Sequence, residues 1–407
     1  MKTILILSSI PDERLETVLE KARELGYRSI FCKREADKDA RSPADSEYTA
    51  DWNDTDALIR IAEKEKIDGV IALCDAAVLP ASYAAQALGL PGNPPESVKF
   101  LLSKNDFRLL QEKAGVFAPR HFLFSQEDEL PKQLRNLKFP VIVKPLLASS
   151  SFGQTVLTSE EGAVEAIKNA SAYSRNKQVC VEEFIEQNSL CGIEMDVFAA
   201  DGGIIWDGIR CSWRAKNAPL RPVCDVYPAE LDENQTRELK STVTALLRSA
   251  GVRLGQFNIE GFFTEEGKFF VIEINPRQAG YYNPQHIELY CGVDLTRLLL
   301  TTAAGDMEYC SSLRSFKRSR RHLMAYSVFS DEEGILDHVH IDPSLKPRLI
   351  DLRTLFGVKR GDRIQSIKEA VRPVCVAVFE FSGAEEVKDA FEKMDRLVYV
   401  KLMNQKA

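Results

Sequence analysis

Short apolar runs alternate with stretches of helical spacing through the first hundred residues. Compact apolar runs at 3–8, 29–32 and 69–73 predict buried strands. Apolar residues recur at helical intervals in the segments between and after them, at 12–25, 55–66 and 77–88. Strands and helices that alternate at this pitch indicate a parallel sheet with helices packed on it. The turn after the first strand lacks the glycines of a dinucleotide-binding fingerprint, so NAD binding is disfavoured.

The sequence pattern changes at two further points along the chain. Residues 90–95 are dense in turn formers and predict a linker. The strong motifs all lie in the middle of the chain, and the last hundred residues mix strands with one clear helix. We therefore predict an α/β and α+β multidomain protein. Its parts are an N-terminal parallel-sheet, Rossmann-like domain at 1–95, a central domain at 96–305 and a small C-terminal α+β lobe at 306–407.

The segment 257–277 carries the strongest chemical pattern. Two aromatic and β-branched runs flank a turn at 265–267, which predicts a hairpin. Since side chains alternate along a strand, Glu273 and Asn275 should share a face, together with Phe269 and Val271. Glu260 can lie beside them on the other strand. Two carboxylates and an amide in one place suit Mg²⁺, which prefers hard oxygen ligands.

Composition and charge exclude several classes of function. The chain has 44% hydrophobic and 28% charged residues, a net charge of −7 and a pI near 5.5. An acidic chain of ordinary composition is not expected to bind nucleic acid or a membrane surface. Nine scattered cysteines without a CxxC pair, and an N-terminus without a signal peptide, predict free thiols and a cytoplasmic location.

The order Glu260, then Glu273-Ile-Asn275-Pro-Arg277, resembles the metal signature of the ATP-grasp superfamily. Within it, the likeness is to carboxylate–amine ligases with an Asn-Pro-Arg ending, a group that includes bacterial L-amino acid ligases. The resemblance implies an ATP-grasp fold for the central domain, preceded by a pre-ATP-grasp domain. It also implies that Glu260, Glu273 and Asn275 bind the metal, with Mg²⁺ expected and Mn²⁺ as an alternative.

Further landmarks of this superfamily follow in the expected order along the chain. Lys104 and Lys144 resemble the two lysines that contact the ATP phosphates, and residues 148–154 resemble the loop over the γ-phosphate. Residues 182–185 resemble the adenine hinge, and Glu194 the ribose-binding acid. The ATP-binding residues implied by the resemblance are Lys104, Lys144, Ser150, Ser151, Gly153, Glu182, Glu183, Phe184, Ile185 and Glu194.

These residues predict an ATP-dependent carbon–nitrogen ligase that forms an acyl phosphate and transfers the acyl group to an amine. Arg277 and Lys144 are the predicted catalytic residues, because a guanidinium fork can hold a carboxylate or acyl phosphate. The predicted partners are a small carboxylate and an amine, and a homodimer is left open. The side chains that follow Arg277 are the candidate substrate contacts, namely Tyr281, Tyr282, Asn283 and His286.

The same residues are compatible with two other functions. The chain could be an ATP-binding regulatory protein without ligation, or a carboxylate kinase that stops at the acyl phosphate. A purine-pathway or carboxylating relative is also compatible. The loop at 148–154 is rich in serine and Arg277 precedes Gln-Ala-Gly-Tyr-Tyr, where relatives often have paired glycines. These departures leave the substrate undecided.

Overall fold

The structure is a computed structural model of the whole chain. It describes residues 1–9, 12–124, 131–134, 136–146, 153–174, 176–187, 191–215, 218–317, 321–355, 357–370 and 372–403. The helices within these ranges are all too short or too polar to cross a membrane.

The N-terminal part is a four-stranded parallel sheet with the order β3-β2-β1-β4. Its elements are β1 (Thr3–Leu7), α1 (Glu13–Glu24), β2 (Arg28–Lys33), β3 (Ser46–Thr49), α2 (Thr55–Glu65), β4 (Gly69–Ala72) and α3 (Asp75–Ala87). Strand β1 is central and wholly buried, as its apolar run predicts. Helices α1 and α3 begin at the carboxyl edge of the sheet, where ligands bind in open α/β folds.

Two helices lead from this sheet into a small antiparallel one of order β5-β8-β6-β7. This region contains α4 (Pro95–Leu102), α5 (Lys104–Lys113), β5 (His121–Phe124), α6 (Pro131–Leu134), β6 (Val141–Pro145), β7 (Thr155–Leu157), α7 (Ala163–Tyr173) and β8 (Val179–Glu183). Helix α7 packs its buried alanines and Ile167 against the sheet.

An eight-stranded sheet of order β13-β12-β9-β10-β11-β14-β18-β16 forms the body of the molecule. Its first part contains β9 (Cys191–Ala200), β10 (Gly203–Ala215), β11 (Ala218–Tyr227), α8 (Glu233–Ser249), β12 (Leu254–Phe263), β13 (Phe269–Asn275), α9 (Asn283–Cys291), α10 (Leu295–Ala303) and α11 (Glu308–Ser312). The predicted parallel N-terminal sheet and mixed α/β class are confirmed.

The C-terminal segment adds strands to that same sheet and builds a three-stranded one of order β17-β15-β19. Its elements are β14 (His322–Val328), β15 (Gly334–Ile341), β16 (Leu349–Thr354), β17 (Arg363–Ile364), β18 (Cys375–Phe381), α12 (Ala384–Phe391), α13 (Met394–Leu397) and β19 (Val398–Leu402). The large sheet thus continues past residue 305, and the domain limits at 95 and 305 stay a prediction.

Helix α10 covers one face of the N-terminal sheet, although it lies more than two hundred residues further along the chain. Leu300 and Ala303 share a core with Ile4 and Ile6 of β1. The approach is close: a Cβ added to Gly69 would lie 2.3 Å from the carbonyl oxygen of Ala303. The contact joins the first sheet to the segment that follows the Arg277 loop.

We expect Gly69→Ala to destabilise the protein by about 1–3 kcal/mol, because the added methyl group forces α10 away from the sheet. The urea unfolding midpoint measures this change. Gly203→Ala is the matched control: its Cβ would meet only the Ala200 carbonyl oxygen at 3.4 Å, an ordinary contact. Equal midpoints for both variants would show that α10 does not press on β4.

Candidate active site

The predicted hairpin is formed by β12 and β13, and it brings Glu260 and Glu273 together. Glu260 pairs with Glu273 in the antiparallel register, and Asn258 pairs with Asn275. At the turn, the Thr264 backbone N–H donates to the Lys268 carbonyl at 2.9 Å. Asn275 Nδ2 donates to Glu273 Oε1 at 2.8 Å. The three side chains predicted to bind metal therefore lie next to one another.

The prediction that Phe269 and Val271 share a face of β13 with Glu273 is wrong. Phe269 and Val271 belong to the core cluster that contains Ile259 and Ile274, on the opposite side from Glu273. The cause is a β-bulge: the register shifts by one residue between Glu260 and Gly261, so residue 272 has no partner on β12. An extra residue inverts the alternation of side chains on one side of the bulge.

A third carboxylate extends the pair into a row across adjacent strands. Glu194 of β9 lies opposite Glu260, so Glu194, Glu260 and Glu273 follow one another from strand to strand. The next row on this face, two residues along each strand, contains Asp196, Asn258 and Asn275. Neighbouring strands are about 4.8 Å apart. The face therefore concentrates negative charge.

Burial and charge act together on the central carboxylate of the row. Burial raises the pKa of Glu260 well above its usual range, and the charges of Glu273 and Glu194 raise it further. Arg214 and Arg277 act in the opposite direction. A cation between these carboxylates would remove the repulsion. In the described part of the chain, no group of three or more His, Cys, Asp or Glu is arranged as a complete metal site.

Lys144 is held by a buried ion pair that the sequence did not reveal in full. Its ammonium group contacts Glu182, and the other oxygen of Glu182 accepts from Arg108 Nε at 3.0 Å. All three side chains are buried. Burial alone would raise the pKa of Glu182, but Lys144 and Arg108 outweigh it and lower the pKa to about 2. Arg108 lies one helical turn after Lys104 on α5, and this spacing is the only signal of its role in the sequence.

Lys104 lies in the same electrostatic environment. Burial lowers the pKa of its ammonium group, Glu273 acts to raise it, and Lys144 lowers it further. Lys104 is the first residue of α5. Ser103 caps this helix, because its hydroxyl accepts a hydrogen bond from the Asp106 N–H at 3.3 Å. A phosphate would compensate two lysines placed close together.

The predicted hinge follows directly after β8. The Glu183 carboxylate accepts from the Lys138 backbone N–H at 2.8 Å, and the Phe184 N–H donates to the Pro140 carbonyl at 2.9 Å. Ile185 is half-buried just beyond them. Glu182 pairs with Lys144 and Arg108, so both carboxylates of this segment already have partners within the protein. Contacts of residues 182–185 with adenine stay a prediction.

The predicted phosphate loop is described only at its end. Ser150 and Ser151 lie outside the described residues. Gly153 has a positive φ of +72°, and a Cβ there would lie 2.7 Å from the Tyr173 ring. The position therefore requires glycine, which agrees with the small-residue character of the predicted loop.

Arg210 of β10 neutralises the acidic face and was missed from the sequence. Its guanidinium contacts Glu194 and Asp196, and its Nε lies 3.2 Å from Asp225 Oδ2. The side chain is 2% exposed. Burial raises the pKa of Asp196, with Arg210 acting against it. Since Arg210 lies on the strand next to Glu194, the acidic rows depend on a cation from sixteen residues away.

Two candidate substrate residues, Asn283 and His286, are interior side chains, 2% and 3% exposed. In the amide orientation that satisfies both ends, Asn283 donates to Asp196 Oδ2 at 2.9 Å and accepts from the Tyr227 hydroxyl at 2.7 Å. Burial and the charge of Arg210 lower the pKa of His286 to about 3, so its ring is neutral. Their predicted contact with substrate gains no support from these positions.

Arg277 and the two tyrosines after it lie where separate parts of the chain meet. The Arg277 guanidinium contacts Asp75, the first residue of α3 in the N-terminal sheet region. Tyr281 is 40% exposed. Tyr282 donates from its hydroxyl to the Thr354 carbonyl at 3.3 Å, and the Arg353 guanidinium lies 5.0 Å from its ring. Asp75 is a candidate site residue that no motif indicated.

Comparison with known proteins agrees with this geometry. The family model described as the D-ala D-ala ligase C-terminus matches residues 109–279, and the ATP-grasp N-terminal domain matches residues 19–92. A formate-dependent phosphoribosylglycinamide formyltransferase of Methanocaldococcus jannaschii is 33% identical over 268 residues, 64% of this chain and 66% of that protein. An uncharacterized protein of Sinorhizobium fredii is 27% identical over 356 residues, 83% of this chain and 70% of that protein.

Among solved structures, the L-amino acid ligase from Bacillus licheniformis superposes with a TM-score of 0.83 at 19% identity, over 99% of each chain. A likeness at this identity establishes the fold. The chain belongs to the ATP-grasp superfamily, as its motifs predicted. The particular class is that of the ATP-dependent carboxylate–amine ligases, which form carbon–nitrogen bonds, and this prediction is confirmed at the level of the class. Enzymes of this superfamily use ATP and Mg²⁺ in general.

We expect Arg210→Met to cost about 3–5 kcal/mol in the free energy of unfolding, because it leaves buried carboxylates without their cation. Without Arg210 the pKa of Asp196 rises further above that in the unfolded chain. Stability of the variant should therefore increase as pH falls from about 8 to about 5.5. Urea unfolding at both pH values measures it, with the exposed Arg237→Met as control. A loss that does not depend on pH would contradict the assigned network.

Proposed function

We propose that this ligase joins the carboxylate of an amino acid, or of a related small acid, to an amine at the cleft of the acidic rows. The observation that carries the proposal is the register of Glu194, Glu260 and Glu273 on adjacent strands. Both Lys104 and Arg277 interact electrostatically with this row. Glu273 acts to raise the pKa of Lys104, and Arg277 acts to lower the pKa of Glu260. Carboxylates and cations placed side by side suit a metal-bound triphosphate.

The proposed reaction has two steps. A carboxylate oxygen of the substrate attacks the γ-phosphorus of ATP, the bond from that phosphorus to the β,γ-bridging oxygen breaks, and ADP leaves. The amine nitrogen then attacks the acyl carbon, phosphate leaves with the bond electrons, and the nitrogen loses a proton. Phosphoryl transfer requires positioning and charge compensation more than covalent participation by the protein.

The side chains of the cleft divide these tasks. Lys104 and Lys144 would bind the phosphates: Lys104 is influenced by the charge of Glu273 in the acidic row, and Lys144 is close enough to Lys104 to lower its pKa. Glu260, Glu273 and Asn275 would hold Mg²⁺, which lowers the repulsion between carboxylates and phosphates when bound. The raised pKa of Glu260 supports this fit. Arg277 would orient the carboxylate by its guanidinium fork.

Phosphate release from MgATP in the presence of pooled standard amino acids tests the function, together with mass spectrometry of the products. We expect release that depends on the pool and new amide products. Glu273→Gln should reduce release by about 100-fold or more, because one carboxylate of the metal site is lost. Glu266→Gln, in the exposed turn of the same hairpin, is the matched control.

Each other outcome of that assay has its own meaning. Phosphate release without an amide product would favour the carboxylate kinase. ATP binding without phosphate release in any pool would favour the regulatory protein. Normal release by Glu273→Gln would remove the hairpin from the active site.

A second prediction concerns the release of protons when Mg²⁺ and ADP bind. Because the pKa of Glu260 is raised, part of its population is protonated where an ordinary glutamate is ionised. Binding of Mg²⁺ with ADP should therefore release protons, and affinity should increase as pH rises. Titration calorimetry in two buffers of different ionisation enthalpy measures the release, which Glu260→Gln should abolish. Equal heats in both buffers for the unmodified protein would contradict the assignment of Glu260 as a metal ligand.

A further inference from the structure

Two cysteines meet on β9 and β10, on the face of the sheet opposite to the acidic rows. Cys191 of β9 lies opposite Trp213, which follows Cys211 by two residues on β10. Side chains two residues apart share a face of a strand, so the two cysteines are diagonal neighbours on one face. A hydrogen bond joins their sulfur atoms. We call Cys191 and Cys211 the thiol pair.

Hydrogen-bond donors are distributed unequally between the two sulfur atoms. Besides the Cys211 thiol, the Trp213 indole N–H and the Ser212 backbone N–H donate to Cys191. The hydrogen bond from Cys211 lowers the pKa of Cys191, burial opposes this, and the other two donors lower the pKa further. The same hydrogen bond and burial raise the pKa of Cys211. Cys191 is therefore the thiolate of the pair, and a thiolate is the nucleophilic form of cysteine.

The thiol pair is accessible to a small reagent. All nine cysteines are thiols, and both members of the pair are half-buried. Five others are fully buried, namely Cys32, Cys180, Cys224, Cys310 and Cys375. Cys291 is also half-buried, and its Sγ donates to the Ile287 carbonyl at 3.2 Å. Cys191 Sγ lies 3.3 Å from the Gly192 carbonyl, which accepts its proton in the thiol form.

We propose that Cys191 and Cys211 form a disulfide when the protein meets hydrogen peroxide. The Cys191 thiolate attacks one peroxide oxygen, the O–O bond breaks, hydroxide leaves, and Cys191 becomes a sulfenic acid. The Cys211 sulfur then attacks the Cys191 sulfur, the S–O bond breaks, and the hydroxyl group leaves as water with the Cys211 proton. The two sulfur atoms lose two electrons in total, and the peroxide gains them.

The disulfide would change the geometry of the acidic face. Diagonal neighbours on antiparallel strands have Cα atoms about 7–8 Å apart. A disulfide needs about 4.4–6.8 Å, so β9 and β10 must move towards each other. Arg210 directly precedes Cys211 and contacts Glu194 on the other face of the same strands. We expect oxidation to disturb this contact and to weaken MgADP binding, a consequence that rests on the proposed function.

Peptide mapping tests the disulfide on the full-length protein. Reduced protein is treated with hydrogen peroxide, its remaining thiols are alkylated, and it is digested without reduction. Trypsin cuts after Lys177, Arg210 and Arg214, so the disulfide would join peptides 178–210 and 211–214. We expect this joined species, with fragment ions that place the bond at Cys191. It should form at least about 10-fold faster than the Cys291 thiol is lost.

Three variants separate the chemistry from effects on folding. Cys211→Ser lacks the second thiol, so dimedone should label Cys191 as a sulfenic acid. Trp213→Phe keeps a ring against Phe391, whose centroid lies 4.6 Å from that of Trp213, but removes the indole donor. Oxidation of this variant should be about 3- to 10-fold slower. Cys291→Ser is the control and should form the disulfide at the unmodified rate.

Titration with MgADP tests the consequence for the site. Oxidation should weaken binding by about 10-fold, and dithiothreitol should restore it, whereas Cys191→Ser should bind equally before and after peroxide. Absence of the joined peptides, or oxidation of Cys191 no faster than that of Cys291, would overturn the thiol pair. The disulfide with unchanged MgADP affinity would overturn its link to the acidic face. Reduced protein that does not bind MgADP would contradict the proposed function, and the joined peptides alone would then decide this inference.

Discussion

Repulsion between carboxylates on neighbouring strands is the constraint around which this molecule is organised. Glu194, Glu260 and Glu273 follow one another across three strands of one sheet. Burial strengthens their repulsion, since the interior screens charge poorly. A sheet face of this kind persists only where cations compensate it. Arg210 does so at one end of the row, and near the hairpin burial, together with the charges of Glu273 and Glu194, raises the pKa of Glu260.

The cations of the site are anchored by separate parts of the chain. Lys144 pairs with Glu182, which also pairs with Arg108 and so joins the small sheet to α5. Arg277 depends on Asp75 at the start of α3. Each ion pair therefore ties one structural region to the edge of the acidic face. A nucleotide bound there would be contacted by residues whose relative positions are set by these pairs, so packing far from the cleft influences its geometry.

Local periodicity was sufficient to predict most of the fold and the centre of the site. Apolar runs and helical spacing identified the parallel sheet, and alternation along one strand placed Glu273 beside Asn275. The bulge at residue 272 could not be predicted, because it is a property of two paired strands and not of either sequence. Arg210 and Asp75 were not predicted for a similar reason, since only the tertiary fold brings each to its partner.

The two halves of the site differ in how the chain constructs them. The predicted nucleotide half is built on strand register, where a one-residue slip would turn its carboxylates away, so it leaves a motif in the sequence. The half near Arg277 is built from the starts of α1 and α9, which line one crevice, and from the start of α3, where Asp75 contacts Arg277. Contacts made by packing leave no motif in the sequence, which is why Asp75 was not predicted beside Arg277.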